Sequence, residues 1–288
     1  MSEIRVNNIT NRDGSTGTTV AGIPVVDSTS HFVVPTGRTG QRYVDGGENI
    51  VRDGLVLHLD AKYSYPSSVG IGTTTSGATA SPGSSVDGEP YTWYDMSGNE
   101  NHGQLVNLVG YNASNGGSLV FDGVNDYIQM SYPPTFFTNY TLSCWFNMSI
   151  LPTSGNPYAL VFYGNDDTYQ RRSLFIWDGG GGGNYRIVSS TYSSNILGDT
   201  QLSANTWYNA TVTLSSNGEA NLYLNGISDG SGTNLLASPT SNVLFVGKTN
   251  SSNEEFTGNI SQVTIYDRVL TASEVLQNYN ALKDRFGL

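Results

Sequence analysis

Beyond residue 115 apolar side chains alternate with polar ones in short runs, and clusters of Gly, Asn, Asp and Ser separate the runs. A period of two turns one face of a strand toward a core, so each run predicts a half-buried β-strand. The runs fall at 118–121, 127–130, 141–148, 159–163, 173–177, 185–189, 207–214, 220–224, 243–246 and 258–266. Their spacing suits an antiparallel sandwich. Asn217-Gly218 supplies a two-residue hairpin turn between 207–214 and 220–224, and Asn225-Gly226 closes the next turn. An earlier run sets Leu55, Leu57 and Leu59 against Val56 and His58 and opens the sandwich. The period changes near the end. Thr271 with Glu274 makes a capping box, and Val275, Leu276, Tyr279, Leu282 and Phe286 form a helical stripe expected to pack against the sandwich edge.

Residues 1–45 follow a different pattern. Ile4, Val6, Ile9, Val20, Ile23, Val25, Phe32 and Val34 give strand character, but they bury too little surface to fold alone. A solvated linker rarely carries so many β-branched residues, so this arm is expected to complete its sheet with other chains. It is read as an anchoring and oligomerisation segment, most simply of a trimer. Residues 46–52 read as a Gly-rich hinge and 53–288 as the sandwich domain. Within that domain, 64–90 is rich in Ser, Thr, Gly and Pro and reads as a surface insertion.

Composition narrows the classes. Only 13% of residues are charged while Gly (34) and Tyr (18) are abundant, which fits strands joined by tight turns and not a helical bundle. The first 52 residues hold equal numbers of acids and bases, so the whole net charge of −11 lies beyond them. A body this acidic repels phosphates, and no nucleic-acid partner is expected. Cys144 is the only cysteine, which excludes an intrachain disulfide and a Cys-based zinc site. It alternates with Leu142 and Phe146 and reads as an inward, inert thiol. No apolar run follows the opening Met-Ser-Glu-Ile-Arg, so neither a signal peptide nor a membrane span is expected, and folding in a cytosol is.

Five segments carry a family resemblance. They are Trp93-Tyr-Asp-Met-Ser-Gly-Asn-Glu-Asn-His-Gly103, Ser118-Leu-Val-Phe-Asp-Gly-Val-Asn-Asp-Tyr127, Trp207-Tyr-Asn, Leu222-Tyr-Leu-Asn-Gly226 and the closing 256–270 with Ser273-Glu274. Their order resembles the laminin G-type branch of the concanavalin A-like lectin/glucanase superfamily, which implies an all-β fold, an antiparallel jelly-roll sandwich. The segment Phe32-Val-Val-Pro-Thr-Gly-Arg-Thr-Gly-Gln-Arg42 is similar to a Pro-x-Gly-Thr-Thr-x-Gln-Arg-Pro stretch of bacteriophage fibre and appendage proteins, with Arg38 in place of Thr and Tyr43 in place of Pro. The opening Ile4-Arg-Val-Asn-Asn-Ile-Thr-Asn11 resembles the start of virion proteins of marine phages, particularly those of cyanobacteria. Together these resemblances imply a protein on the virion surface with other virion proteins as partners.

Candidate chemistry is confined to loops. Asp122, Asn125 and Asp126 put three oxygens in one turn, as a hard cation requires, and the resemblance adds that related domains hold calcium at the sandwich rim. An Asx turn with no ion is the competing reading. Asn165-Asp-Asp-Thr168 is a second, weaker cation candidate. For a carbohydrate, Tyr163, Tyr169, Arg171 and Trp177 are the candidates, because sugars are gripped by aromatic faces and planar polar groups; Arg172 lies in the same region. Trp145 and Trp207 read as core. Trp177 precedes Asp178 and five consecutive glycines, which read equally as a floppy hairpin. That run lacks the Lys and spacing of a phosphate cradle.

Asp95, Ser97, Asn99 and Asn101 suit hydrogen bonds to their own loop backbone, and His102 reads as structural. The paired-acid strand pattern of glucanases is absent, and the adjacent Glu254 and Glu255 would face opposite sides of a strand, so no catalysis is expected. The sequence therefore points to a phage structural protein displaying a lectin-like domain for host-surface glycan. Alternatives are a capsid or neck decoration protein without glycan, and, less supported, a glycan hydrolase.

Overall fold

Leu142, Cys144, Phe146 and Met148 of one long strand, Tyr140–Met148, point into a common core, and Trp145 between them points the other way. The alternation sorts side chains as the sequence predicts. The computed structural model describes residues 49–63, 92–107, 109–130, 138–167, 170–233, 239, 241–251 and 253–288, and elsewhere the backbone of a few short strands. Two units divide the chain, Met1–Glu48 and Asn49–Leu288.

In the first unit Thr19–Val20 pairs with Ile23–Pro24, and Phe32–Val34 with Tyr43–Asp45, both antiparallel. Val20, Ile23, Phe32 and Val34 thus lie in strands that pair within the chain. Ile4, Val6, Ile9 and Val25 lie outside the described residues, as does most of 64–90, of which Ser85–Val86 pairs with Glu89–Pro90.

The second unit contains β1 (Leu55–Asp60), β2 (Thr92–Trp93), β3 (Gly103–Val106), β4 (Gly110–Asn112), β5 (Ser118–Asp122), β6 (Tyr127–Met130), β7 (Tyr140–Met148) and β8 (Tyr158–Gly164). It continues with β9 (Arg171–Trp177), β10 (Arg186–Ser190), β11 (Asn195–Leu197), β12 (Trp207–Leu214), β13 (Glu219–Leu224), β14 (Ile227–Thr233), β15 (Leu244–Val246) and β16 (Thr257–Tyr266). Sheet I runs β4-β5-β16-β7-β12-β13-β14, with β1 beside the second half of β16. Sheet II runs β11-β10-β9-β8-β15-β6-β3-β2, and the strand pairs are antiparallel. This is the jelly-roll sandwich expected. Its core fills the space between the sheets with side chains such as Leu59, Trp93, Phe121, Phe146, Leu174 and Val263. Each fully buried aliphatic or Phe side chain contributes about 1.5–3 kcal/mol.

Helix α1 (Ala272–Leu282) starts at the expected capping box: Glu274 N donates to Thr271 Oγ1 (3.3 Å) and Thr271 N to Glu274 Oε2 (2.8 Å). The helix lies on the outer face of sheet I and not at an edge. There Trp145 is stacked on Tyr279 (5.6 Å between centroids) and on Phe286 (4.3 Å). Leu276, read as part of the buried stripe, is 42% exposed. Ile50 joins the Trp145 cluster and Val51 packs with Tyr266 and Val275, so sandwich packing begins inside the segment read as a hinge. No helix of the described residues is long and apolar enough to cross a membrane.

Candidate functional site

Around β8–β10, sheet II is apolar on both faces. Along β9 the alternation sends Leu174 and Ile176 into the core and Phe175 and Trp177 outward. Phe162 and Val188 of the neighbouring strands share this outer face with Ala159, and Leu197 and Phe245 lie at its margin. Strands buried on both sides read as continuous apolar runs, which is what Ala159-Leu-Val-Phe and Leu174-Phe-Ile-Trp are. The connection from β15 to β16 borders the outer face: Ala159 N donates to Glu254 O (3.0 Å), Gly247 N to Leu160 O (3.2 Å) and Asp166 N to Asn250 Oδ1 (3.1 Å).

One end of this face is organised by Arg171. Its Nη1 donates to Asp166 Oδ1 (2.7 Å), while Nε and Nη2 donate to Ser190 Oγ (3.1 and 2.7 Å). The guanidinium stacks on Phe175 (4.8 Å) and Tyr192 (5.0 Å). Tyr192 is 49% exposed and sits at φ +74°, a left-handed conformation that costs a non-glycine residue about 1–3 kcal/mol and is enriched at ligand sites. Close by, Glu254 Oε2 accepts from Thr249 Oγ1 (2.7 Å). Burial, with a further contribution from the Asp166 charge, raises the Glu254 carboxyl above its ordinary pKa.

The other end is built on Trp177, whose Nε1 donates to Gly155 O (3.2 Å). Asp178 then gathers the following loop. It accepts from Ser154 Oγ (3.0 Å) and from the N–H groups of Gly155, Gly180 and Gly183. Burial opposes the Asp178 charge, but these hydrogen bonds outweigh it and hold the carboxyl below the usual range. All five glycines from 179 to 183 have positive φ, so the loop has a backbone that side-chain-bearing residues rarely adopt. Six residues of extended strand put Arg171 and Trp177 about 20 Å apart.

Of the four carbohydrate candidates, Arg171 and Trp177 share this face. Tyr163 does not. It is 4% exposed in the core, and its hydroxyl donates to Asn242 Oδ1 (3.0 Å). A bulge between Ala159 and Val161 shifts the register, so that Leu160 and Val161 both face inward and the alternation beyond them is inverted. Tyr169 lies outside the described residues. Tyr192 and Ser190 went unread in the sequence, where the only signal was a polar Ser-Ser-Thr-Tyr ending to a predicted strand.

The turn proposed for calcium is held by its own carboxylates. Asp122 Oδ1 accepts from Val124 N (2.8 Å) and Asn125 N (3.3 Å), and Asp126 Oδ2 accepts from Asp122 N (3.2 Å). Among the described residues no three of His, Cys, Asp and Glu gather as a metal-holding group. The 95–103 loop is likewise self-braced. Buried Asp95 accepts from the N–H groups of His58, Ser97 and Asn101, and His102 Nδ1 accepts from Asp95 N (3.0 Å).

A family profile described as the concanavalin A-like lectin/glucanases superfamily (Laminin_G_3) matches residues 121–276. The chain belongs to this superfamily. Comparison with curated proteins finds no match. Among solved structures, this concanavalin A-like chain is similar to domain 4 of a GH43 extracellular arabinanase from Geobacillus stearothermophilus, in complex with arabinotriose: 20% identity over 78% of this chain and 98% of that one, TM-score 0.56. It is also similar to the serotype D botulinum neurotoxin ligand binding domain in complex with N-acetylneuraminic acid (16%, 80% and 51%, TM-score 0.54). A third is the binding domain of Paraclostridial Mosquitocidal Protein 1 (19%, 80% and 52%, TM-score 0.56). The chain spans about half the length of these two binding domains. At these identities the likeness is one of fold.

Proposed function

We propose that this is a bacteriophage virion protein of the fibre or appendage type whose lectin-like domain attaches the particle to host-surface glycan through Trp177 and Tyr192, the solvent-reaching aromatics at the two ends of the otherwise buried outer face of sheet II. The observation that carries the reading is the pair of partly exposed aromatics, Trp177 and Tyr192, each fixed at one end of that face beside polar groups. A saccharide presents alternating apolar patches and hydroxyls, and aromatic platforms flanked by a few oriented polar groups match it. Complexes of two fold relatives with saccharides support the reading by analogy. The resemblance of 32–42 to phage appendage proteins supports the virion setting, where many copies turn weak sites into avid attachment. The reading is one of binding without cleavage: Asp166, whose charge acts on Glu254, is ion-paired with Arg171.

Screening the full chain against a glycan array, followed by titration of hits, tests this. The expected result is saccharide binding that falls at least tenfold in both Trp177→Ala and Tyr192→Ala, with both variants still folded. Binding indifferent to both substitutions, or no binding at millimolar saccharide, overturns the site. Imaging of particles with antibody to this chain tests the virion setting, and an unlabelled particle overturns it.

A further inference from the structure

Arg171, Arg268 and Arg285 each hold carboxylates: Asp166 for the first, Asp53 and Glu274 for the second, Asp60 for the third. Among the described residues Arg186 holds none, and its hydrogen bond runs from Nη1 to Gly198 O at a long 3.4 Å. In a chain of net charge −11, a half-buried guanidinium with most of its donors unspent is unusual. Its place is set by the sheet. Tyr185 and Ile187 turn into the core while Val188 turns outward, so Arg186 turns outward too, and the register puts it directly opposite Trp177 on β9. Side chains paired in this way leave the backbone about 5 Å apart. The indole is fixed by its bond to Gly155 O and flanked by the glycine loop, where a Cβ on Gly180 would lie 3.9 Å from Trp177 Cζ2. The acids nearby do not claim the guanidinium. Asp178 is taken up by Ser154 and by the N–H groups of Gly155, Gly180 and Gly183. No ion pair among the described residues joins Arg186 to Asp199, the residue after Gly198.

We infer that Arg186 makes the Trp177 end selective for a carboxylated sugar, a uronic or sialic acid, whose ring lies on the indole while its carboxylate meets the guanidinium fork. The inference rests on the glycan reading and specifies the ligand class at one of its two ends. An aromatic platform alone grips acid and neutral sugars alike, because stacking uses the C–H face of the ring. A planar guanidinium distinguishes them, since it matches a carboxylate with two parallel, charge-assisted hydrogen bonds about twice as strong as neutral ones. The chain's overall negative charge repels every acidic ligand at a distance, so the selection acts at contact and depends on this one side chain. The Tyr192 end lacks the same device, because Arg171 is spent on Asp166 and Ser190.

The test titrates the full chain with trigalacturonate and with sialyllactose, each against its own methyl ester, so that the two members of a pair differ only in charge. The expected result is that at least one acid binds at least tenfold more tightly than its ester. Arg186→Gln should bring that ratio close to one with the ester's affinity unchanged, whereas Trp177→Ala should weaken acid and ester together. Lys283→Gln, the same change of charge on the helical segment packed on sheet I, should leave the ratio as in the parent. Acid and ester bound alike by the parent overturn the inference and leave the glycan reading standing. A preference that survives Arg186→Gln, or that Lys283→Gln abolishes equally, also overturns it. Absence of binding to these four compounds and to every glycan of an array overturns both. Arg186→Lys keeps the charge without the fork, and it decides the matter should Arg186→Gln fail to fold: a reduced ratio supports the inference, and one equal to the parent's overturns it.

Discussion

His58 shows how one buried side chain sets a pH response. It is fully enclosed on β1, with its Nε2 3.0 Å from Gln262 Nε2. Burial drives its pKa from 6.5 down to about 4, against the opposing pull of Asp60 and Asp95. Between those values the unfolded chain binds a proton that the folded chain refuses, so this residue lowers stability as pH falls from 6.5 toward 4 and leaves it untouched above 6.5. His58→Gln should flatten that part of the pH–stability curve, measured by denaturant unfolding at pH 7, 5.5 and 4.5; an unchanged slope would show that other groups govern it. Asp95 is a residue whose role was legible from type alone: a short acid in a Ser-, Asn- and Gly-rich loop accepts backbone N–H groups, and it does. Tyr163 was not legible. In a strand apolar on both faces the sequence period does not say which way a side chain points, and a bulge decided it.

Helix α1 was the most legible element because its signals are local. Its anchor is Glu274, which accepts from Arg268 Nη2 (2.6 Å) and Nη1 (3.0 Å) and from Thr271 N. The Arg268 hydrogen bonds foremost, then that from Thr271, hold its carboxyl at about 2. A depressed acid contributes stability above its unfolded pKa and loses it as pH falls through the folded one. The side chain is about a quarter exposed, so solvent screening holds the contribution to about 1 kcal/mol. Glu274→Gln should therefore cost about that much at pH 7, and the gap to the parent should close between pH 4.5 and 2, followed by urea unfolding. The strand β14, Ile227–Thr233, was the least legible element. Its sequence, Ile-Ser-Asp-Gly-Ser-Gly-Thr, is polar and mostly exposed, and its order comes from backbone pairing with β13 at a sheet edge, which side-chain patterning does not record.

For the molecule as a whole, the sandwich holds its own core, and Arg285 closes it by gripping buried Asp60 with Nη1 (2.9 Å) while Nη2 donates to Gly117 O and Ser261 Oγ. A domain of this size buries enough surface to stand alone. A chain beginning at Asn49 should show one cooperative thermal transition with a β-type circular dichroism spectrum. A molten or aggregated product would mean that Met1–Glu48 completes the core. Fold class and family were readable because turn chemistry and alternation recur in order along the chain. The outer face of sheet II was half readable, since it combines side chains from separate strands whose register only the folded backbone sets.

The glycine loop beside Trp177 limits how this protein changes over generations. Each of its five residues occupies mirror-image backbone space, so nearly every coding mutation there that adds a side chain brings distortion before it brings a new contact. Novel ligand preferences would then arise through altered loop length or through exchanges at flanking sites such as Tyr192, while the glycine stretch itself drifts little.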